Sequence, residues 1–134
     1  MSDLSDAMLV KARESLAGAA SEHEQRRYNN AANRAYYACF QAAVAALDAA
    51  GISSPGGRAE WGHSFVQAQF AGQLINRRKR YPAELRDTLT LLFSIRQQAD
   101  YQRANVSQKQ ATRLLARATI FVDAVTSESG GIVR

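Results

Sequence analysis

Apolar residues recur along the chain at intervals of three and four, the spacing that gathers them on one side of an α-helix. Leu4, Met8, Ala12, Leu16 and Ala19 make the first such stripe and predict a helix from about Asp3 to Ala20. A longer second helix is expected from about Glu24 to Ala50, with Gly51 just beyond its C-terminus. The cluster GISSPGGRAEWG then forms the longest loop. Val66, Phe70 and Leu74 define a third helix that begins near Gly62 or His63 and ends in the basic run NRRKRYP. A fourth follows Pro82, a residue suited to a first helical turn, and holds Leu85, Leu89 and Leu92 in register. The fifth opens with SQKQ, where Ser107 and Gln110 have capping-box spacing. Its apolar face is Ala111, Leu114, Leu115, Ala118, Phe121, Val122 and Val125.

No useful length of chain alternates with period two, so a β-sheet is not expected. Short connections between long amphipathic helices predict an all-α fold, an antiparallel four- to five-helix bundle. Residues 1–126 read as a single domain and 127–134 as a flexible tail.

Two of the helical patterns are interrupted by polar residues in a regular way. In the second helix Asn30, Arg34, Tyr37, Gln41 and Asp48 fall on one stripe, while Tyr36, Phe40, Ala43 and Leu47 fall on an apolar one. An arginine among alanines is costly to bury unless something binds it. In the fourth helix the leucine line runs on to Arg96 and then Asp100, four residues apart and able to pair. Arg34 with Tyr37, and Arg96 with Tyr101, are therefore expected to face a shared polar pocket. Either a structural network that fixes helix register or a functional site would account for it.

Charge adds a direction. The chain has 134 residues, with 17 basic and 12 acidic side chains, a net charge of +5 and a pI near 9.8. That balance favours polyanionic partners through counterion release. Arg77, Arg78, Lys79 and Arg80 end the third helix, where cations also complement the helix dipole. Lys109, Arg113 and Arg117 form a second basic line on the fifth helix, preceded by Arg103. Together they are expected to form a phosphate-tracking surface. Tyr81 and Tyr101 are the aromatics placed for base stacking, so RNA preference would come mainly from shape and charge.

The remaining composition closes off other classes. A single cysteine, Cys39, excludes an intramolecular disulfide and suits a reducing cytoplasm. Two histidines and one cysteine speak against a zinc site of the usual composition, and no cofactor is expected. The longest apolar run, Ala42 to Leu47, is far too short to span a bilayer. Asp3 and Asp6 stand where a secretory leader would need a basic segment, so a cytoplasmic location without membrane contact is expected.

RAYYACFQAAVAAL, then GHSFVQAQF, then RQQADY, in this order over roughly residues 25 to 125, resemble the HEPN (higher eukaryotes and prokaryotes nucleotide-binding) domain. The likeness is to small stand-alone prokaryotic members. It implies a helical bundle that forms a homodimer, often encoded beside a nucleotidyltransferase that serves as antitoxin. Catalytic members are metal-independent ribonucleases with an R-x4-6-H motif at the dimer interface. There the arginine would hold the scissile phosphate, and the histidine would shuttle a proton so that the ribose 2′-hydroxyl attacks.

The sequence departs from that motif where it matters. Five places beyond Arg96 stands Tyr101, and no histidine follows it. Arg58 and His63 have R-x4-H spacing, but in the loop before the third helix, where related proteins carry a histidine outside the catalytic motif. His23 reads as a solvated residue near a helix start. The expected function is thus RNA-directed and toxin-like. In one form Arg96 binds phosphate, Asp100 orients it and His63 or Tyr101 carries the proton. The alternative is a non-catalytic module that binds RNA, a nucleotide or the partner nucleotidyltransferase, with Tyr101 as an acceptor for nucleotide transfer. A dimerising scaffold is the third possibility.

Overall fold

The computed structural model describes residues 3–57 and 61–133. Five α-helices follow one another: α1 (Asp3–Glu24), α2 (Tyr28–Ala49), α3 (His63–Gln69), α4 (Thr88–Tyr101) and α5 (Gln108–Val133). No strand occurs among the described residues, and the all-α bundle expected from the periodicity is the fold.

The arrangement follows from α2, whose small side chains let other helices come close. Ala31, Ala32, Ala35, Ala38, Ala42 and Ala43 are buried along it, as are Cys39, Val44 and Leu47. It packs against α1, α4 and α5 and touches α3. Larger side chains from those partners fill the space: Val66, Phe70 and Leu74; Leu89 and Leu92; Leu114, Phe121, Val122 and Val125. Burial pushes the Cys39 thiol pKa well above its ordinary value, so it is a small apolar filler and not a nucleophile.

α1 and α2 form an antiparallel hairpin. Ser5 Oγ donates to the Ala45 carbonyl at 3.2 Å, and Ser15 pairs with Gln41 at 2.7 Å. The boundary between them lies later than the periodicity implied. α1 continues through Glu24, and the chain reverses at Arg26, which takes a left-handed φ of 65°. The Arg27 amide returns to the Glu22 carbonyl at 2.9 Å, and its side chain also bonds the Glu22 carboxylate.

Three further boundaries differ from expectation. After Gln69 the third helix widens into π-helical turns over Phe70–Arg77. Residues five apart align in such turns, so Phe70, Leu74 and Ile75 all reach the core. Pro82 does not open the fourth helix; it is extended (ψ 151°) and leads into a 3-10 turn, Ala83–Leu85, before α4 begins. α5 runs on to Val133 past the expected end at residue 126, because extending a formed helix carries no nucleation cost. Its start is as expected: the Gln110 amide donates to Ser107 Oγ at 3.1 Å and the Ser107 amide to Gln110 Oε1 at 3.0 Å.

Candidate functional site

The first half of α2, the last half of α4 and the first residue of α3 meet in one cluster. Asn29, at the start of α2, fixes the α4–α5 connection: its Oδ1 accepts from the Val106 amide at 2.8 Å and its Nδ2 donates to Asn105 Oδ1 at 3.1 Å. Gln98 and Gln110 exchange side-chain hydrogen bonds at 3.3 Å, joining the end of α4 to α5. With that end held, α4 presents Phe93, Arg96 and Asp100 to α2.

Tyr36 is the centre of what they meet. Its ring is 3% exposed and lies 5.1 Å from Tyr37, 5.9 Å from Phe40, 5.7 Å from His63 and 5.6 Å from Phe93, centroid to centroid. Its hydroxyl is 2.9 Å from His63 Nδ1. The imidazole stacks on Phe93 at 3.9 Å with an 18° tilt. The Arg96 guanidinium lies within 5.3, 5.4 and 5.6 Å of the Tyr36, Tyr37 and Phe93 rings, an arrangement that holds a cation by the ring quadrupoles. Its Nε donates to Asp100 Oδ2 at 3.3 Å, and Asn33 Nδ2 donates to both Asp100 oxygens at 3.3 and 3.1 Å.

The electrostatics are consistent with a poised site. Burial, then the Arg96 charge, lowers the His63 pKa below its usual value, so the imidazole is neutral at pH 7. Burial opposes the charge on Arg96, but hydrogen bonds with Tyr101 and Asp100 outweigh it and raise its pKa. Burial pushes the Tyr36 phenol up to about 12, keeping it protonated. A neutral histidine, a fixed cation and a protonated phenol can bind an oxyanion and move a proton beside it.

The expected site residues divide accordingly. His63, Arg96, Asp100 and Tyr37 come together, and Tyr101 joins them at the rim with its side chain 75% exposed. Arg58 lies outside the described residues. Arg34 does not share the Arg96 pocket. It extends over α1, where Gly18 faces it, and lines a groove with Asn30, Asn33, Tyr37 and Gln41. The two arginines point to different partners because α2 lies between α1 and α4, and only Asn33 and Tyr37 belong to both places.

The basic residues also form two groups and not one surface. Arg78 donates to the Ala50 carbonyl at 3.1 Å, completing the end of α2, and Arg80 lines a small cavity with Glu128 near the far end of α5. Arg77 and Lys79 are exposed beside them. Lys109 and Arg113 are exposed towards the opposite end of α5, about 28 and 22 Å from Glu128 at 1.5 Å per residue. Arg103 lies in the connection that follows Asp100 and Tyr101, and Arg117 lies further along, beside Glu84 and Ile120. His23 is tied to Thr112 at 2.7 Å, joining α1 to α5, and is not a free solvated side chain.

Sequence reasoning missed Tyr36, Asn33 and Phe93. Tyr36 fell on the apolar stripe, and its ring does sit there; its hydroxyl was the signal, since a buried phenol needs a partner. Among the described residues no group of three or more His, Cys, Asp or Glu side chains could hold a metal, and no helix is long and apolar enough to cross a membrane.

No curated protein matches the chain. A model of the HEPN domain matches residues 5–128, which spans all five helices and every residue of the cluster. The chain belongs to the HEPN domain family.

Proposed function

We propose that the protein acts on RNA, as the toxin-like member of a HEPN and nucleotidyltransferase pair. Its chemistry is phosphodiester cleavage by the Arg96–His63 cluster, in a cytoplasmic homodimer. The observation that carries this reading is His63, held at 2.9 Å by Tyr36 and stacked on Phe93 beside Arg96. The motif histidine missing after Arg96 is replaced by one from the start of α3. In the tautomer whose Nδ1–H donates to Tyr36, Nε2 keeps its lone pair. It withdraws the 2′-hydroxyl proton, and the 2′-oxygen attacks phosphorus. The bond to the 5′-oxygen breaks as the imidazolium returns a proton to it, leaving a 2′,3′-cyclic phosphate and a 5′-hydroxyl. Arg96 stabilises the charge gathering on the phosphoryl oxygens, with Asp100 and Asn33 setting its direction. Arg103, Lys109 and Arg113 give the strand a basic path beside the cluster.

The test is incubation with total RNA in EDTA. The wild type is expected to produce cyclic-phosphate ends, and His63→Ala and Arg96→Ala each to lose about a hundredfold or more of the rate. An inactive wild type, or an active His63→Ala, would overturn the nuclease reading.

Tyr101 favours a second reading. It stands in the motif histidine's place near Arg96 and is 75% exposed, which suits an acceptor hydroxyl for a partner nucleotidyltransferase. In that case the module binds RNA or its partner without cleaving, and the same EDTA assay shows no product.

A further inference from the structure

A second polar place adjoins the cluster and is not used by the chemistry above. It is a groove of about 410 Å3 between α1 and α2, lined by Ser15, Asn30, Asn33, Arg34, Tyr37 and Gln41. Every one of these side chains carries a hydrogen-bonding group, and Arg34 is the one charge. Arg34 is exposed, and among the described residues no ion pair or hydrogen bond engages its guanidinium. Glu22 feels it only at longer range and is already bonded by Arg27 and Asn30. Arg96, by contrast, is paired with Asp100 and its side chain is 16% exposed.

Gly18 is the second observation. It lies inside α1, where glycine weakens a helix, and its own backbone has no left-handed φ that would require it. A Cβ at Gly18 would come within 3.1 Å of Arg34 Cδ and 3.3 Å of Nη1. Arg34 thus lies close against the bare backbone of α1 at Gly18, where a methyl group would make it give by a few tenths of an ångström. Tyr37 is 39% exposed and lines this groove while also lying under Arg96, and Asn33 lines it while bonding Asp100. The groove and the cluster are thus continuous.

We propose that the groove is a nucleotide subsite, which takes a phosphate on Arg34, a base against Tyr37 and base or ribose edges on Asn30 and Gln41. Its occupant is another nucleotide of the RNA strand held at Arg96 and His63, so the inference rests on the RNA-directed reading. A free nucleotide offers the same chemistry, and the test separates the two sources.

Binding is measured by fluorescence anisotropy with a short labelled 2′-O-methyl oligoribonucleotide, which lacks the attacking hydroxyl and so cannot be cleaved. Adenosine monophosphate is titrated separately, and circular dichroism verifies that each variant is folded. Arg34→Ala is expected to weaken oligonucleotide binding about tenfold and to reduce the salt slope by about 0.7, one phosphate contact on a single strand. Gly18→Ala keeps the charge and displaces the exposed Arg34 chain by only a few tenths of an ångström, so it should bind close to the wild type and leave that slope unchanged. Loss of monophosphate binding in Arg34→Ala, with oligonucleotide binding unchanged, would support the site with the free nucleotide as its source. If Arg34→Ala binds both as the wild type does, the subsite is overturned, whether or not RNA is cleaved. If Arg34→Ala loses binding while no protein cleaves RNA, the subsite stands and the nuclease reading falls.

Discussion

At the scale of single residues, His63 is the cluster side chain whose ordinary titration range lies nearest neutral pH and whose surroundings shift it. Burial and the nearby Arg96 charge both disfavour the imidazolium, so its pKa in the folded protein lies below the ordinary 6.5. The unfolded chain then takes up the proton more readily than the folded one. Stability from this group is full above pH 6.5 and is lost as pH falls through 6.5 towards the lower folded value. Urea midpoints measured across that window should fall with pH for the wild type and stay flatter for His63→Asn. Equal slopes would mean that the imidazole is not held neutral. His63 was legible as a motif position, but its partner was not. Periodicity sorts side chains by face; it does not show that the Tyr36 ring can face the core while its hydroxyl reaches the start of α3. Nor could it bring His63 to Arg96, since their positions depend on how the third and fourth helices pack on the second.

Whole elements were easier to read, because a helix announces itself over many residues. Each of the five was visible in the spacing of leucines, alanines and phenylalanines, and the start of α5 in one pair of capping residues. Ser107→Ala removes the acceptor for the Gln110 amide, and is expected to lower stability by about 1 kcal/mol in a denaturant titration. A loss within error would show that Gln110, through the Ser107 amide and Gln98, holds the turn without the hydroxyl. Boundaries were less legible. Nothing in the 3.6-residue period distinguishes an α-turn from the π-turns at Phe70–Arg77, which arise from packing both Leu74 and Ile75. Pro82 fits a helical first turn and an extended lead-in equally well, and the burial of Leu85 in a 3-10 turn selects the second. Arg26 could not be placed from its type, since a left-handed arginine is set by the reversal between α1 and α2.

For the molecule as a whole, the bundle followed from long helices and short connections, while the division of its surface did not. Net charge says nothing about position. The basic residues after α3 lie near one end of α5, and Arg103, Lys109 and Arg113 lie towards the other, the end that Gln98 and Gln110 join to α4. The pocket imagined for Arg34 and Arg96 became two adjoining places because the alanine-rich α2 is sandwiched, with a neighbour on each side. That central position has a consequence for Cys39, the chain's one thiol, which has no exposed surface. An alkylating reagent can reach it only when the helices around α2 separate, so the protein carries a clock for its own opening. Labelling by a thiol reagent in native buffer should be slower than in strong urea by about a thousandfold or more. Addition of an RNA ligand should slow it further, in proportion to the occupancy of the folded state. Prompt labelling would mean that the middle of the bundle opens without global unfolding. Read this way, one buried sulfur reports ligand capture by a protein whose ligand need not be identified in advance.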